Sequence, residues 1–370
     1  MKPKVKVFSM FLAVMLQASM FLGIVSCSVN DNNGGHESVA ADTIVYRFAS
    51  QEEGKRLRLA NTSYFNSLSQ NDLDWKTLSI GHTLAEHKAI AAEQIMDFTD
   101  EEKQAMTWIM HDIEARCAEL GIRLPCKDEI IFIKSAMADE GGAGAYTQKN
   151  EMYINGWTIE SLASAYRQDP TFSTAEREYA FNFARESVTH EIFHIITHRD
   201  VQFRQLMYSL IGFTAMDHEV EFGPTVRQLL LHHPDVERYD NYAEFTIGGQ
   251  KRRCILIAAY PSSYADAVAV NPDADFFYDA QMVLVPLDEP DTMIPIEEAT
   301  DYYDIMGRNL DYDYVDAAEE NLATNFSYLI SYGFDGYYDY SKEDDEVIFI
   351  PYGTPQLIRN IYDVLKSLKN

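Results

Sequence analysis

The chain has 370 residues, and its 58 Asp and Glu against 30 Lys and Arg leave a formal net charge of −28. That charge disfavours nucleic acid or an anionic membrane surface as a partner, because both would be repelled. With 46% hydrophobic residues the chain has enough apolar mass for one large domain or two intimately packed ones.

Lys2, Lys4 and Lys6 precede an apolar stretch over residues 7–25, the pattern of a secretory signal, and the stretch ends in Ile24-Val25-Ser26-Cys27. This string resembles a bacterial lipobox. It implies cleavage after residue 26 and lipidation of Cys27, so residues 1–26 are read as a signal peptide. Residues 27–40, rich in Asn and Gly, then form a lipidated flexible tether. The expected location is the bacterial cell envelope, lipid-anchored on the periplasmic or surface face of the outer membrane.

Residues 41–78 show no strong period and read as an irregular start to a mainly helical N-terminal region spanning 41–125. Residues 83–98 and 100–120 read as helices. Thr99 with Glu102 forms a capping box for the second, and Gly121 is its stop signal. Cys117 and Cys126 are the nearest candidate disulfide pair, with free buried thiols as the alternative. Residues 129–134 are β-rich, and residues 140–154 read as a hairpin whose strands flank 148–150. Tyr146 and Thr147 in that hairpin are candidates for a strand that holds an extended peptide by β-augmentation.

Residues 173–198 contain, after a break, an apolar helical pattern that carries His190-Glu191-Ile192-Phe193-His194. Positions four apart lie a turn apart on one helix face, so both imidazoles can reach one metal ion while Glu191 reaches a metal-bound water. Two histidines and a glutamate inside an apolar helix are costly to desolvate without such a partner. One zinc per chain, bound by His190 and His194 with Glu191 as general base, is therefore expected. A third histidine six residues after His194 is ruled out, because Asp200 stands there. His198 lies eight residues from His190, about 12 Å of helical rise, and reads as a helix-end or surface histidine. Strand signals over 242–247, 253–259 and 281–287 mark a β-rich insertion at about 212–295. Helices are expected over 314–332 and from Pro355 onward.

Taken with the late string Glu319-Glu320-Asn321-Leu322-Ala323-Thr324-Asn325-Phe326, the HExxH motif resembles the glutamate-zincin metallopeptidases. Within them it resembles a group of bacterial zinc-binding metallopeptidase lipoproteins with a Glu-Glu-x-x-Ala-x-Asn-Phe helix. The resemblance covers roughly residues 126–330. It implies an α+β fold with a zincin-like catalytic core over 126–370, Glu320 as the third zinc ligand, and Thr324 where the family places an aspartate that orients the first histidine. Helical periodicity alone instead turns Glu319 toward the core. The implied function is zinc-dependent hydrolysis of peptide bonds in a peptide or protein substrate. The alternative is a catalytically retired metal-binding surface lipoprotein that acts as a protein-binding module. The sequence offers His218, His232, His233 and several tyrosines as transition-state donors without choosing among them.

Overall fold

In the computed structural model the described residues are 44–275, 279–310, 317–339 and 347–368. The expected signal, tether and lipidated Cys27 lie outside them.

The described chain begins with β1 (Tyr46–Phe48) and then, where an irregular segment was expected, three short helices: α1 (Gln51–Ala60), α2 (Thr62–Ser67) and α3 (Gln70–Thr77). Periodicity misses them because their buried faces carry charge. Arg58, Asp72 and Lys76 are all fully or almost fully buried. Arg58 pairs with Asp139 and Glu140 at 2.7 Å, and Lys76 with Glu140 at 2.6 Å. Caps start two of the three helices: Ser50 accepts from the Glu53 amide, and Ser69 forms a capping box with Asp72.

The next expected helix is shorter than the pattern implies, because α4 (Leu84–Glu93) gives way to β2 (Ile95–Met96), which pairs antiparallel with a central strand. Helix α5 (Asp100–Leu120) begins at the Thr99/Glu102 capping box and ends at Gly121 in the left-handed region, φ 64°. Strands β3 (Ile130–Ser135), β4 (Ala145–Gln148) and β5 (Glu151–Asn155) follow, and the sheet order is β1-β3-β5-β4, with β2 on β3. Strands β1, β3 and β5 run parallel, whereas β4 is antiparallel and forms the edge. β1 and β2 thus join the N-terminal part to the sheet of the later region.

Helix α6 (Gly156–Tyr166) leads to α7 (Thr174–Arg199), which starts at a Ser173/Glu176 capping box and is about 39 Å long at 1.5 Å per residue. After α8 (Val201–Ser209) come β6 (Thr214–Ala215), α9 (Pro224–Leu229), β7 (Asn241–Ile247), β8 (Gln250–Ala259), α10 (Tyr264–Val270), β9 (Gln281–Pro286) and β10 (Ile294–Pro295). These strands form the second sheet, antiparallel throughout, in the order β10-β9-β8-β7-β6. Its centre is buried on both faces: Cys254 and Leu256 of β8 enter the main core, while Ile255, Ile257 and Ala259 enter a separate apolar cluster.

A short α11 (Tyr302–Met306) precedes α12 (Ala318–Tyr332), then the hairpin β11 (Gly336–Asp339) and β12 (Ile348–Pro351), and last α13 (Pro355–Ser367). Leu357, Ile358, Ile361 and Leu365 of α13 are buried at helical spacing. The fold is mixed α+β with several sheets. Its main core joins α5, α6, α7, α12 and α13 through residues such as Ile109, Leu162, Ile192, Phe326 and Ile361. Cys117, Cys126 and Cys254 are free thiols, so the candidate Cys117 to Cys126 bridge is not formed. Burial pushes Cys117 up to about 12, and Cys126 and Cys254 to about 11.

Candidate metal centre

Helices α7 and α12 run antiparallel in close contact. Going one way along α7, the cross-helix partners are Glu186 with Tyr332, His190 with Thr324, and His194 with both Glu319 and Glu320. Ala323, with no accessible surface, helps the two backbones approach. Glu319 and Glu320 lie in the first turn of α12, where the free N–H groups favour negative charge.

The two imidazoles turn one nitrogen each toward the same carboxylate. Glu320 Oε2 lies 3.0 Å from His190 Nε2, and Glu320 Oε1 lies 3.4 Å from His194 Nε2. The ligand atoms of the three residues all fall within 4.8 Å of one another. The opposite nitrogens face outward. His194 Nδ1 is 3.2 Å from Glu319 Oε1, and His190 Nδ1 is 3.3 Å from Thr324 Oγ1. Glu319 is held in turn by the Tyr208 hydroxyl at 2.5 Å and by Thr197. A histidine that donates Nδ1–H to a carboxylate presents the Nε2 lone pair inward, the arrangement that suits a metal ligand.

Two atoms test whether a cation fits. His194 Nε2 and Glu320 Oε1 are buried and without hydrogen-bond partners, yet they face each other. A divalent ion satisfies both at once. The electrostatics make the same demand. Burial opposes charge on His194, but Glu320, Asp235 and Glu319 outweigh it and raise its imidazole well above the ordinary histidine range. Burial likewise opposes charge on Glu320, and His194 and His190 outweigh it and hold the carboxyl well below the usual range. Burial and then the Glu191 carboxylate push Asp235 well above that range. Carboxylates crowded around two histidines call for positive charge, supplied either by protons or by a metal.

Glu191 is 3% exposed, and its Oε2 accepts a 2.7 Å hydrogen bond from Thr147 Oγ1. Thr147 therefore reaches the site through its side chain, while its backbone N–H donates to Asp235 Oδ1. Tyr146 does not reach it: the ring is buried, stacked on Tyr153 at 4.6 Å and covered by the Arg58 guanidinium. The Tyr146 side chain therefore packs away from the site, while its backbone remains part of the β4 edge strand. The surface reading of His198 is corrected as well. Its side chain is nearly buried, its ring stacks on His194 at 5.9 Å, and Nε2 donates to the Asp235 carbonyl at 2.8 Å. His194, His198 and Glu319 also group closely. Glu319, however, is already satisfied by Tyr208 and Thr197.

Asp235 was not singled out by the sequence. It lies in the irregular connection between α9 and β7, is 1% exposed, and groups with Glu191 and His194 and again with His233 and Glu320. Among the candidate donors, His233 is near the centre, with Nδ1 3.8 Å from Glu320 Oε1 and 3.2 Å from Asp235 Oδ2. His232 is bonded to Asp72, and His218 is exposed beside Asp217. The other buried group, His87 with Asp139 and Glu140, is charge-balanced by Arg58 and Lys76.

The chain matches no protein-family model, no curated protein and no solved structure. No helix among the described residues is long and apolar enough to cross a membrane.

Proposed function

We propose that the protein is a zinc-dependent peptide-bond hydrolase of the glutamate-zincin type, with a zincin-like core built around α7 and α12. The observation that carries this reading is the convergence of His190, His194 and Glu320, with buried, unpartnered atoms on His194 and Glu320. These three residues would hold one zinc, which when bound polarises the scissile carbonyl and acidifies its water.

The chain's own groups supply the rest. Glu191 takes the proton from the attacking water and passes it to the leaving amine, and Thr147 aims its carboxylate through the 2.7 Å hydrogen bond. His233, whose Nδ1 lies 3.8 Å from Glu320 Oε1, is the donor for negative charge on the tetrahedral intermediate. Glu319 and Thr324 orient the two histidines, and Thr324 does so without charge. An extended substrate pairs along β4, the edge strand. Lipidation at Cys27 places the enzyme on the envelope membrane, and Cys27→Ser is expected to release it into the soluble fraction.

The test is Glu191→Gln. The amide cannot accept the water proton, so the variant should bind zinc as the wild type does and fail to cleave unfolded protein. Undiminished cleavage removes the general-base assignment. Equal inactivity of the wild type supports the retired binding module instead.

A further inference from the structure

Within that hydrolase reading, we propose that Asp235 is an additional protein ligand to the metal and that the segment bearing it, residues 232–237, is a strap that occupies the substrate edge in the resting enzyme. Two independent placements meet in this one carboxylate. First, a carboxylate oxygen of Asp235 lies within 4.8 Å of the ligand atoms of Glu191 and His194, and one also groups this closely with His233 and Glu320. It therefore lies close to a ring nitrogen of His194 and a carboxylate oxygen of Glu320, the two residues that each carry a buried atom with no hydrogen-bond partner. Second, Asp235 Oδ1 accepts the backbone N–H of Thr147 on β4, and two residues further on Glu237 Oε1 accepts the N–H of Lys149 at 3.2 Å.

The spacing is informative. Thr147 and Lys149 are alternate residues, so their amides point the same way, one on the edge of β4 and the other at the first residue of the turn that follows it. An added substrate strand would draw its main-chain hydrogen bonds from this edge, and here both amides are taken by acidic side chains of one segment. The strap is pinned. His232 donates its backbone N–H to Asp72 at 3.0 Å, and the Asp235 carbonyl accepts from His198 at 2.8 Å. A peptide entering along β4 must turn the Asp235 side chain away from Thr147, and the same rotation withdraws the carboxylate from the metal while the pinned backbone keeps His233 in place. Edge pairing and opening of the coordination position are in this way one event. The class of substrate that does this is an extended, unfolded segment, which offers main-chain carbonyls to the strand, rather than a folded surface.

The experiment loads full-length wild type, Asp235→Asn and Glu237→Gln with cobalt(II) as a visible probe, and in parallel with zinc. Asp235→Asn is expected to change the cobalt absorption and to weaken zinc binding about tenfold. It is also expected to raise hydrolysis of an unfolded protein about tenfold, the gain from reducing one charge-assisted hydrogen bond to a neutral one. Glu237→Gln removes the charge that strengthens the bond to the Lys149 amide and leaves the metal side untouched, so it should leave the cobalt spectrum unchanged and still raise hydrolysis. An Asp235→Asn spectrum identical to wild type, or hydrolysis that stays level or falls in that variant, overturns the proposal. Hydrolysis that fails to rise in Glu237→Gln overturns the strap. Wild type that binds cobalt and cleaves peptide upholds the underlying hydrolase reading in each case, whereas wild type that binds neither metal removes both.

Discussion

Glu319→Gln and Glu320→Ala separate two adjacent carboxylates that the geometry gives different work. Glu320 faces the inward nitrogens of both histidines, at 3.0 and 3.4 Å. Glu319 faces only the outward nitrogen of His194, at 3.2 Å, and is anchored by Tyr208 and Thr197. On the proposed reading, removing Glu320 deletes a ligand and leaves a buried charge unmatched, a loss of about 3–5 kcal/mol. That corresponds to a zinc affinity weaker by roughly two to nearly four orders of magnitude. Changing Glu319 to Gln keeps the metal ligands but removes the charge behind His194. Such outer partners are worth roughly 10- to 100-fold in affinity, or about 1.4–2.7 kcal/mol. Competition against a chromophoric chelator measures both values on the same scale. If Glu319→Gln releases zinc while Glu320→Ala binds it normally, the assignment of inner and outer carboxylate is wrong.

Thr324→Asp places a charged acceptor at His190 Nδ1, now 3.3 Å from a hydroxyl, and should tighten zinc binding about tenfold; weaker binding contradicts the orienting role. Thr147→Val removes the hydrogen bond to Glu191 and should lower kcat about tenfold with zinc content unchanged, so a change confined to KM argues against it. Away from the site, Asp301 is lowered to about 2, its burial outweighed by Lys251 and by the Thr246 amide and hydroxyl. A depressed carboxylate stabilises the fold above its unfolded pKa near 4, and that contribution is lost as pH falls through about 2. Urea unfolding should therefore show wild type more stable than Asp301→Asn by about 1 kcal/mol at pH 6, allowing for solvent screening, with the gap closing toward pH 2. A gap that does not vary with pH refutes the linkage.

Local signals were legible in the sequence where the interaction is local. The spacing of His190 and His194, the Thr99/Glu102 box and Gly121 each depend on neighbours within a few residues, and α5 and α7 fall close to the expected bounds. The choice between Glu319 and Glu320 needed more, because periodicity and family resemblance selected different residues. Both are buried at the site, since one imidazole needs a partner on each nitrogen. Helices α1 to α3 escaped notice because Arg58, Asp72 and Lys76 fill positions where an amphipathic pattern expects apolar residues. Asp235 was invisible for a different reason. Its importance lies in contacts with Thr147 and His198, far away in the chain, and an aspartate in a polar loop reads as solvated.

On the proposed reading, a zinc ion held by α7 and α12 drives hydrolysis of peptide bonds. The most direct test of that reading is a zinc titration of metal-stripped protein, with cleavage of an unfolded protein followed at each step. Activity should be absent at the start, rise linearly and reach a plateau at one equivalent of zinc per chain. Cleavage that is already complete before zinc is added, or that never appears although one equivalent binds, contradicts the account.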